Sequence, residues 1–288
     1  MELHHYTDVN GLVGIIQNKK LWATDIRFLN DSQEMNAGIN HIKKICAQHA
    51  TSNPSDNEVK KATRGLYNVI PDFIQNNLTK RNNYIVSFSR ARDNLRQWMS
   101  YCPKNAGYSI EFHVEKILID GVLEKEKKVV ARLEDVSYNE DKISTILELK
   151  DFLKEIEKHS NSIAINISQP LAKKHQPIMS DLTDAMHRLA NDLFFHTCAV
   201  KPKEFHDEQE TRLIIQSALA KDHITKFRTK SGIIVPYFEY PIDPESIKGI
   251  TIGPNLNMKL AREGLEDFLE KHSIECEVNE SECSLRVF

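Results

Sequence analysis

Residues 201–215 read KPKEFHDEQETRLII, and the fold of this stretch decides how the rest of the chain is understood. Six ionisable side chains (Glu204, His206, Asp207, Glu208, Glu210 and Arg212) stand directly before an apolar run. Taken as a strand from Glu208, side chains alternate, so Glu208, Glu210 and Arg212 share a face with Ile214. Thr211, Leu213 and Ile215 then take the other face. Such a strand presents two carboxylates and a guanidinium at one end and core at the other, as at the edge of an active-site cleft. The same letters fit a helix start, with Asp207 as cap and Glu208–Arg212 as an i,i+4 pair. Leu-Ile-Ile and the strand-like runs around it favour the strand.

The bulk properties are those of an ordinary soluble chain. It has 288 residues, 40% hydrophobic and 27% charged, with a formal net charge of −3. That balance supplies no global reason to bind nucleic acid or membranes. No apolar run approaches the roughly 18 residues that span a bilayer, and MELHHYTD is not laid out as a signal peptide, so a cytoplasmic location is expected. Five cysteines (Cys46, Cys102, Cys198, Cys276 and Cys283) are odd in number and form no C-x-x-C pair. They point to reduced thiols and away from a structural zinc. Neither G-x-G-x-x-G nor a Walker A loop is present, which argues against dinucleotide-binding and P-loop folds of those types.

Along the chain, LHHYT reads as a first strand. Val9, Leu12, Val13 and Ile16 follow helical spacing behind a cap at Thr7 or Asp8. LWATDIRFLNDSQE reads as a strand and a polar turn, and Met35, Ile39, Ile42 and Cys46 mark the next helix. NYIVSFS, GYSIEFHV and 127–136 alternate as strands. DNLRQWMSY is a short helix, with Leu95, Trp98 and Met99 inward and Asp93 as cap. From about 140 to 200 the pattern is helical, with Leu182, Met186, Leu189 and Leu193 on one face. Strands return at 208–217, 224–228, 232–239 and 247–252, followed by a helix around Ala261–Phe268 and short strands at 273–278 and 284–288. The expectation is one α+β domain over 1–288, with a mixed or antiparallel sheet built from both ends of the chain and a helical insertion at about 140–200.

Four polar sets are candidates for chemistry. His4, His5, Tyr6 and Thr7 lie on the first strand, with His5 and Thr7 on one face and His4 and Tyr6 on the other. Neighbouring strand histidines point apart and chelate a metal poorly, so no metal ligands are assigned. Asn30, Asp31 and Glu34 follow a strand at a helix start, where Asp31 and Glu34 also suit a capping box. Ser87 and Ser89 share a strand face opposite Val86 and Phe88, and buried serines need partners. No G-x-S-x-G elbow surrounds them. Trp98 and Tyr101 are core aromatics or a stacking platform.

The ordered motifs L-x-x-Y-T, LWAT…FLND-x-x-E, VSFS…QW-x-x-Y…G-Y-x-I-x-F, EF-x-x-E-x-E-x-R and VPY…I-G-P, over 3–35, 84–112 and 198–288, resemble a large bacterial family. That family is catalogued mainly as a domain of unknown function, with many members looking like accessory genes of phage-defence or toxin loci. The order of first-strand His, S-x-S strand and late E-x-E further resembles the ADP-ribosyltransferase superfamily. The resemblance implies a split sheet and NAD as co-substrate. Its catalytic set is Glu210, Glu208 and His5; its cofactor-binding set is Tyr6, Thr7, Asn30, Asp31, Ser87, Phe88, Ser89, Trp98 and Arg212. Phe88 stands where a threonine is commoner. Glu210 then stabilises an oxocarbenium-like transition state at the nicotinamide ribose, as carboxylates do in glycoside hydrolysis. Arg212 either holds Glu210 ionised or only neutralises the pair. The implied role is a toxin or defence effector acting on a protein or nucleic-acid acceptor, with an antitoxin or defence-system partner and no membrane. Two alternatives stay open. One is a metal-dependent nuclease-type effector using Asp31, Glu34, Glu208 and Glu210. The other is a non-catalytic sensor or adaptor whose insertion serves a partner or a homodimer.

Overall fold

Strand β1 (Glu2–Asp8) runs straight into helix α1 (Val9–Asn18), because Asp8 turns the chain and caps the helix, its Oδ1 accepting from Gly11 N at 2.7 Å. The helix ends at Lys19, in the left-handed region at φ 53°, and β2 (Lys20–Asp25) follows at once. The protein is described here by a computed structural model. It describes residues 2–29, 32–52, 68, 70–72, 74–76, 82–102, 107–118, 129–138, 188–189, 191–217, 225–230 and 232–283, with the backbone alone at 32–37 and 49–52.

The remaining elements are α2 (Ser32–Ser52), β3 (Asn82–Ser89), α3 (Leu95–Tyr101), β4 (Gly107–His113), α4 (Val114–Ile117) and β5 (Val129–Asp135). After them come β6 (Glu210–Ser217), β7 (Lys226–Lys230), β8 (Ile233–Pro241), β9 (Ile247–Ile252), α5 (Met258–Lys271) and β10 (Glu277–Glu280). The fold is α+β: helices with a mixed, open ten-stranded sheet among the described residues, ordered β10-β9-β4-β1-β3-β2-β8-β7, with β6 on β3 and β5 on β6. The β9–β10 pair is parallel and the other ladders are antiparallel.

β3 is where the sheet divides. Along one edge it pairs with β6 from Asn82↔Ser217 to Ser89↔Glu210. Its other edge is shared. β2 takes only the start of β3, through Thr24↔Ile85 and Asp25↔Tyr84, and β1 only the end, through His4↔Ser89. Between them Val86, Ser87 and Phe88 are paired with neither strand, and the sheet splits there.

One face of the strands forms the core. Leu3, Tyr84, Val86, Phe88, Ile110, Phe112, Leu213, Ile215, Phe238 and Ile250 pack beneath Leu12 and Ile16 of α1 and Leu265 and Leu269 of α5. Each such aliphatic or aromatic side chain, when fully buried, contributes about 1.5–3 kcal/mol. The alternation of NYIVSFS is as expected, with Val86 and Phe88 toward this core and Ser87 and Ser89 away from it.

Contacts divide the chain into two compact units. The first comprises 1–31, 82–136 and 202–288 and holds the sheet; the second comprises 32–81 and 137–201. The helical segment foreseen at 140–200 thus belongs to a unit that also takes in 32–81. Of that segment, 188–189 and 191–197 are described and helical, whereas Leu182 and Met186 lie outside the described residues. In the second unit, Ile39, Ile42, Ile45 and Cys46 of α2 are buried, and Gly38 lies against the Thr197 carbonyl. A Cβ on Gly38 would stand 2.7 Å from that oxygen.

Two local expectations need correcting. The strand after residue 200 begins at Glu210, not Glu208. Residues Lys203–Glu208 form a 3-10 turn, and Gln209 takes a left-handed conformation at φ 43° before the strand starts. Helix α3 is capped by Asn94 rather than Asp93, and Leu95 and Met99 are exposed, because the helix buries the face of Gln97 and Trp98.

Candidate functional site

Strand register assembles the first part of the site. Glu111 pairs with His4, His4 with Ser89, and Ser89 with Glu210, so residues from β4, β1, β3 and β6 form one row across the sheet face opposite the α1–α5 core. Neighbouring strands lie about 4.8 Å apart, which makes these adjacent side chains on one surface. All four are buried. Alongside runs a second row, Ser87–Arg212–Glu134. A buried polar row is costly unless its members are paired.

Glu210 is paired by its own strand. Arg212 donates through Nε to Oε1 at 2.8 Å and through Nη2 to Oε2 at 3.0 Å, and both side chains are 4% exposed. Two residues apart on one strand face is the spacing that allows this fork. Glu208 lies before the strand, in the turn that ends at the left-handed Gln209. Its backbone carbonyl accepts from Ser89 Oγ at 2.7 Å and from Gln97 Nε2 at 3.2 Å, tying α3 and β3 to the turn. Opposite Thr211, Asp135 accepts from Thr211 Oγ1 and pairs with Arg90.

The second part of the site is the split itself. His5, on the core side of β1, donates through Nδ1 to the Ser87 carbonyl at 3.0 Å. It thereby supplies the partner that neither β1 nor β2 gives that carbonyl. A carbonyl only accepts, so the proton sits on Nδ1 and Nε2 keeps its lone pair. The ring packs edge-on to Phe88, with centroids 5.8 Å apart. Burial pushes the His5 pKa down; the Ser87 hydrogen bond opposes this and the nearby Arg228 adds to it. His5 and Ser87 both keep partial solvent access.

On the β2–β8–β7 side, the Arg228 guanidinium lies 5.3 Å from the Trp22 ring centre and 5.7 Å from that of Tyr237. Its Nη2 donates to Thr24 Oγ1 at 2.7 Å, while its Nε is buried without a hydrogen-bond partner among the described residues. Trp22 remains 42% exposed. A cation with a spare donor beside an open indole suits an anionic group attached to an aromatic ring.

The other residues singled out in the sequence have structural engagements. Tyr6 donates its hydroxyl to Ala91 O at 2.6 Å, accepts from Asn94 N at 3.1 Å, and packs edge-on to Trp98 at 4.6 Å. Burial raises its pKa well above the usual tyrosine value. Trp98 is 1% exposed and donates Nε1 to Asp93 at 2.6 Å. Thr7 packs its hydroxyl against Gly11 at the β1–α1 corner. Asn30 and Asp31 lie outside the described residues, as does the side chain of Glu34. Glu111, Glu134 and Arg228 were not singled out, and His4 was named in the first-strand polar set without a role. Glu111 left a readable signal, an acid between Ile110 and Phe112 on an alternating strand. Arg228 left none, because its aromatic partners come from two other strands.

Residues 97–213 match the model of a family described only as a protein of unknown function, DUF2971. The match spans less than half of the chain. No curated protein and no solved structure matches the chain. The matched DUF2971 segment includes Trp98, Glu111, Glu134, Glu208, Glu210 and Arg212. It leaves His4, His5, Ser87, Ser89 and Arg228 outside, so the row and the split are completed by strands beyond it. No helix among the described residues is long and apolar enough to cross a membrane.

Proposed function

We propose that the sheet-bearing unit is an NAD-consuming module of ADP-ribosyltransferase type, transferring ADP-ribose to a macromolecular acceptor or to water. The observation that carries this reading is the split at β3. A neutral histidine sits in it with a free ring nitrogen, and a cation with a spare donor lies beside two aromatic rings on the strands flanking it. An aromatic dinucleotide needs both features. In this reading His5 holds the nicotinamide ribose, Arg228 meets the pyrophosphate and Trp22 offers a stacking face. Glu210, oriented by Arg212 on the sheet face opposite His5 and reached through the split between β1 and β2, stabilises the positive charge that develops as the nicotinamide–ribose bond breaks. The cellular setting that fits is a cytoplasmic toxin or defence effector.

A second reading keeps the fold without the chemistry. Both Glu210 carboxylate oxygens are engaged by Arg212 and the pair is almost closed to solvent, as in a structural ion pair. Nicotinamide release from NAD by the purified full chain separates the two. Wild-type turnover lost in His5→Gln and cut at least tenfold in Arg228→Met, both still folded, supports the transferase. NAD binding without turnover selects the non-catalytic reading. Neither binding nor turnover overturns both.

A further inference from the structure

We propose that Glu2, His4 and Glu111 form a divalent-cation site at the β1–β4 ladder, one in which the Lys248 ammonium stands in for the metal. The register builds it. His4 and Glu111 are direct cross-strand partners, and Glu2 lies two residues before His4 on the same face. Ligand atoms of all three lie within 4.8 Å of one another. His4 is only 2% exposed, yet its Nδ1 is a buried atom without a hydrogen-bond partner among the described residues. A polar ring placed this deep without a partner is the feature that an ion pair alone does not explain.

Lys248 shows that a cation belongs there. It contacts Glu111 Oε1 at 2.7 Å and also pairs with Glu2. The β4–β9 ladder shifts register here: Glu111 pairs with Gly249 and Phe112 with Ile247, so Lys248 is the extra residue of a β-bulge. Bulges re-aim side chains, and this one delivers an ammonium to two carboxylates. The lysine side chain is 34% exposed and can withdraw to water. One ammonium leaves the pair of carboxylates with a net charge of −1, whereas a divalent ion neutralises it. One imidazole and two carboxylates match the nitrogen and oxygen preferences of zinc, with water completing the shell. The site is separate from the split, and its test does not depend on NAD.

Zinc titration of the metal-free full chain by calorimetry, with cobalt absorption as a spectroscopic reporter, tests the site. Wild type should take up one zinc, and Lys248→Met should bind at least tenfold more tightly, because the competing ammonium is gone. Glu111→Gln and the exposed Glu2→Gln should each weaken binding at least tenfold and remove the visible cobalt bands. Lys248→Met should also lose thermal stability without metal and regain it with zinc. No one-to-one binding in wild type and Lys248→Met overturns the proposal, as does binding that Glu111→Gln and Glu2→Gln leave unchanged.

Discussion

Glu210 and Arg212 are the residues on which the site's energetics turn. Desolvating two charges is expensive, and their bidentate contact at 2.8 and 3.0 Å offsets that cost only while both are present. Glu210→Gln should therefore cost about 3–5 kcal/mol in urea unfolding, because it removes one charge of a buried, bidentate ion pair. The double variant Glu210→Leu with Arg212→Met should lose less than the single one. A single-variant loss under about 1 kcal/mol would show that the pair is hydrated or replaceable. The identity of this pair was legible, since E-x-R on an alternating strand puts the two on one face. The position of Glu208 was not. A left-handed backbone at a glutamine, Gln209, leaves no mark in the letters, so the turn that removes Glu208 from the strand face went unread.

Among the elements, α3 and the residues after β10 are joined through one carboxylate. Asp93 accepts from Trp98 Nε1 at 2.6 Å, Ser281 Oγ at 2.6 Å and Glu282 N at 2.7 Å. Burial alone would raise its pKa, but the donors outweigh this and hold it below the usual carboxylate value. The folded pKa is thus below the unfolded one of about 3.9, so the stabilisation is fully present above that pH and is lost as pH falls through the folded value. Asp93→Asn should cost about 1.5–3 kcal/mol near neutrality. It should also reduce the drop in thermal midpoint of wild type below about pH 4; an unchanged acid limb would refute the assignment. The sequence reading made Asp93 the helix cap, a local inference from its place before NLRQW. Asn94 takes that role because Asp93 is recruited by Ser281 and Glu282, nearly two hundred residues away.

For the whole molecule, the division into two units makes a prediction about where damage spreads. A methyl group on Gly38 would run into the Thr197 carbonyl at 2.7 Å, and a backbone oxygen cannot rotate aside. Gly38→Ala should cost about 1–3 kcal/mol. Hydrogen exchange should show protection lost in α2 and across 193–198, with β3 and β6 unchanged. Equal loss in β3 and β6 would mean that the chain unfolds as one cooperative body. The sequence suggested a single helical insertion at 140–200. That 32–81 joins it in one unit was not visible, because a helix announces its apolar face but not what covers it.

What the sequence determined by itself is local and periodic. Alternation every two residues placed Ser87 and Ser89 opposite Val86 and Phe88, and marked β1, β4, β6 and β9 as strands. Spacing of three and four marked α1 and α5, and Thr7 or Asp8 announced the cap of α1. These follow from backbone geometry within a few residues. Only the tertiary structure decided that Glu111, His4, Ser89 and Glu210 form one row, that β1 and β2 part along β3 around His5, and that Arg228 meets Trp22 and Tyr237. Each depends on strand register between segments tens to hundreds of residues apart. Register is set by which apolar faces bury together, and a shift of one residue would send every one of these side chains to the opposite face.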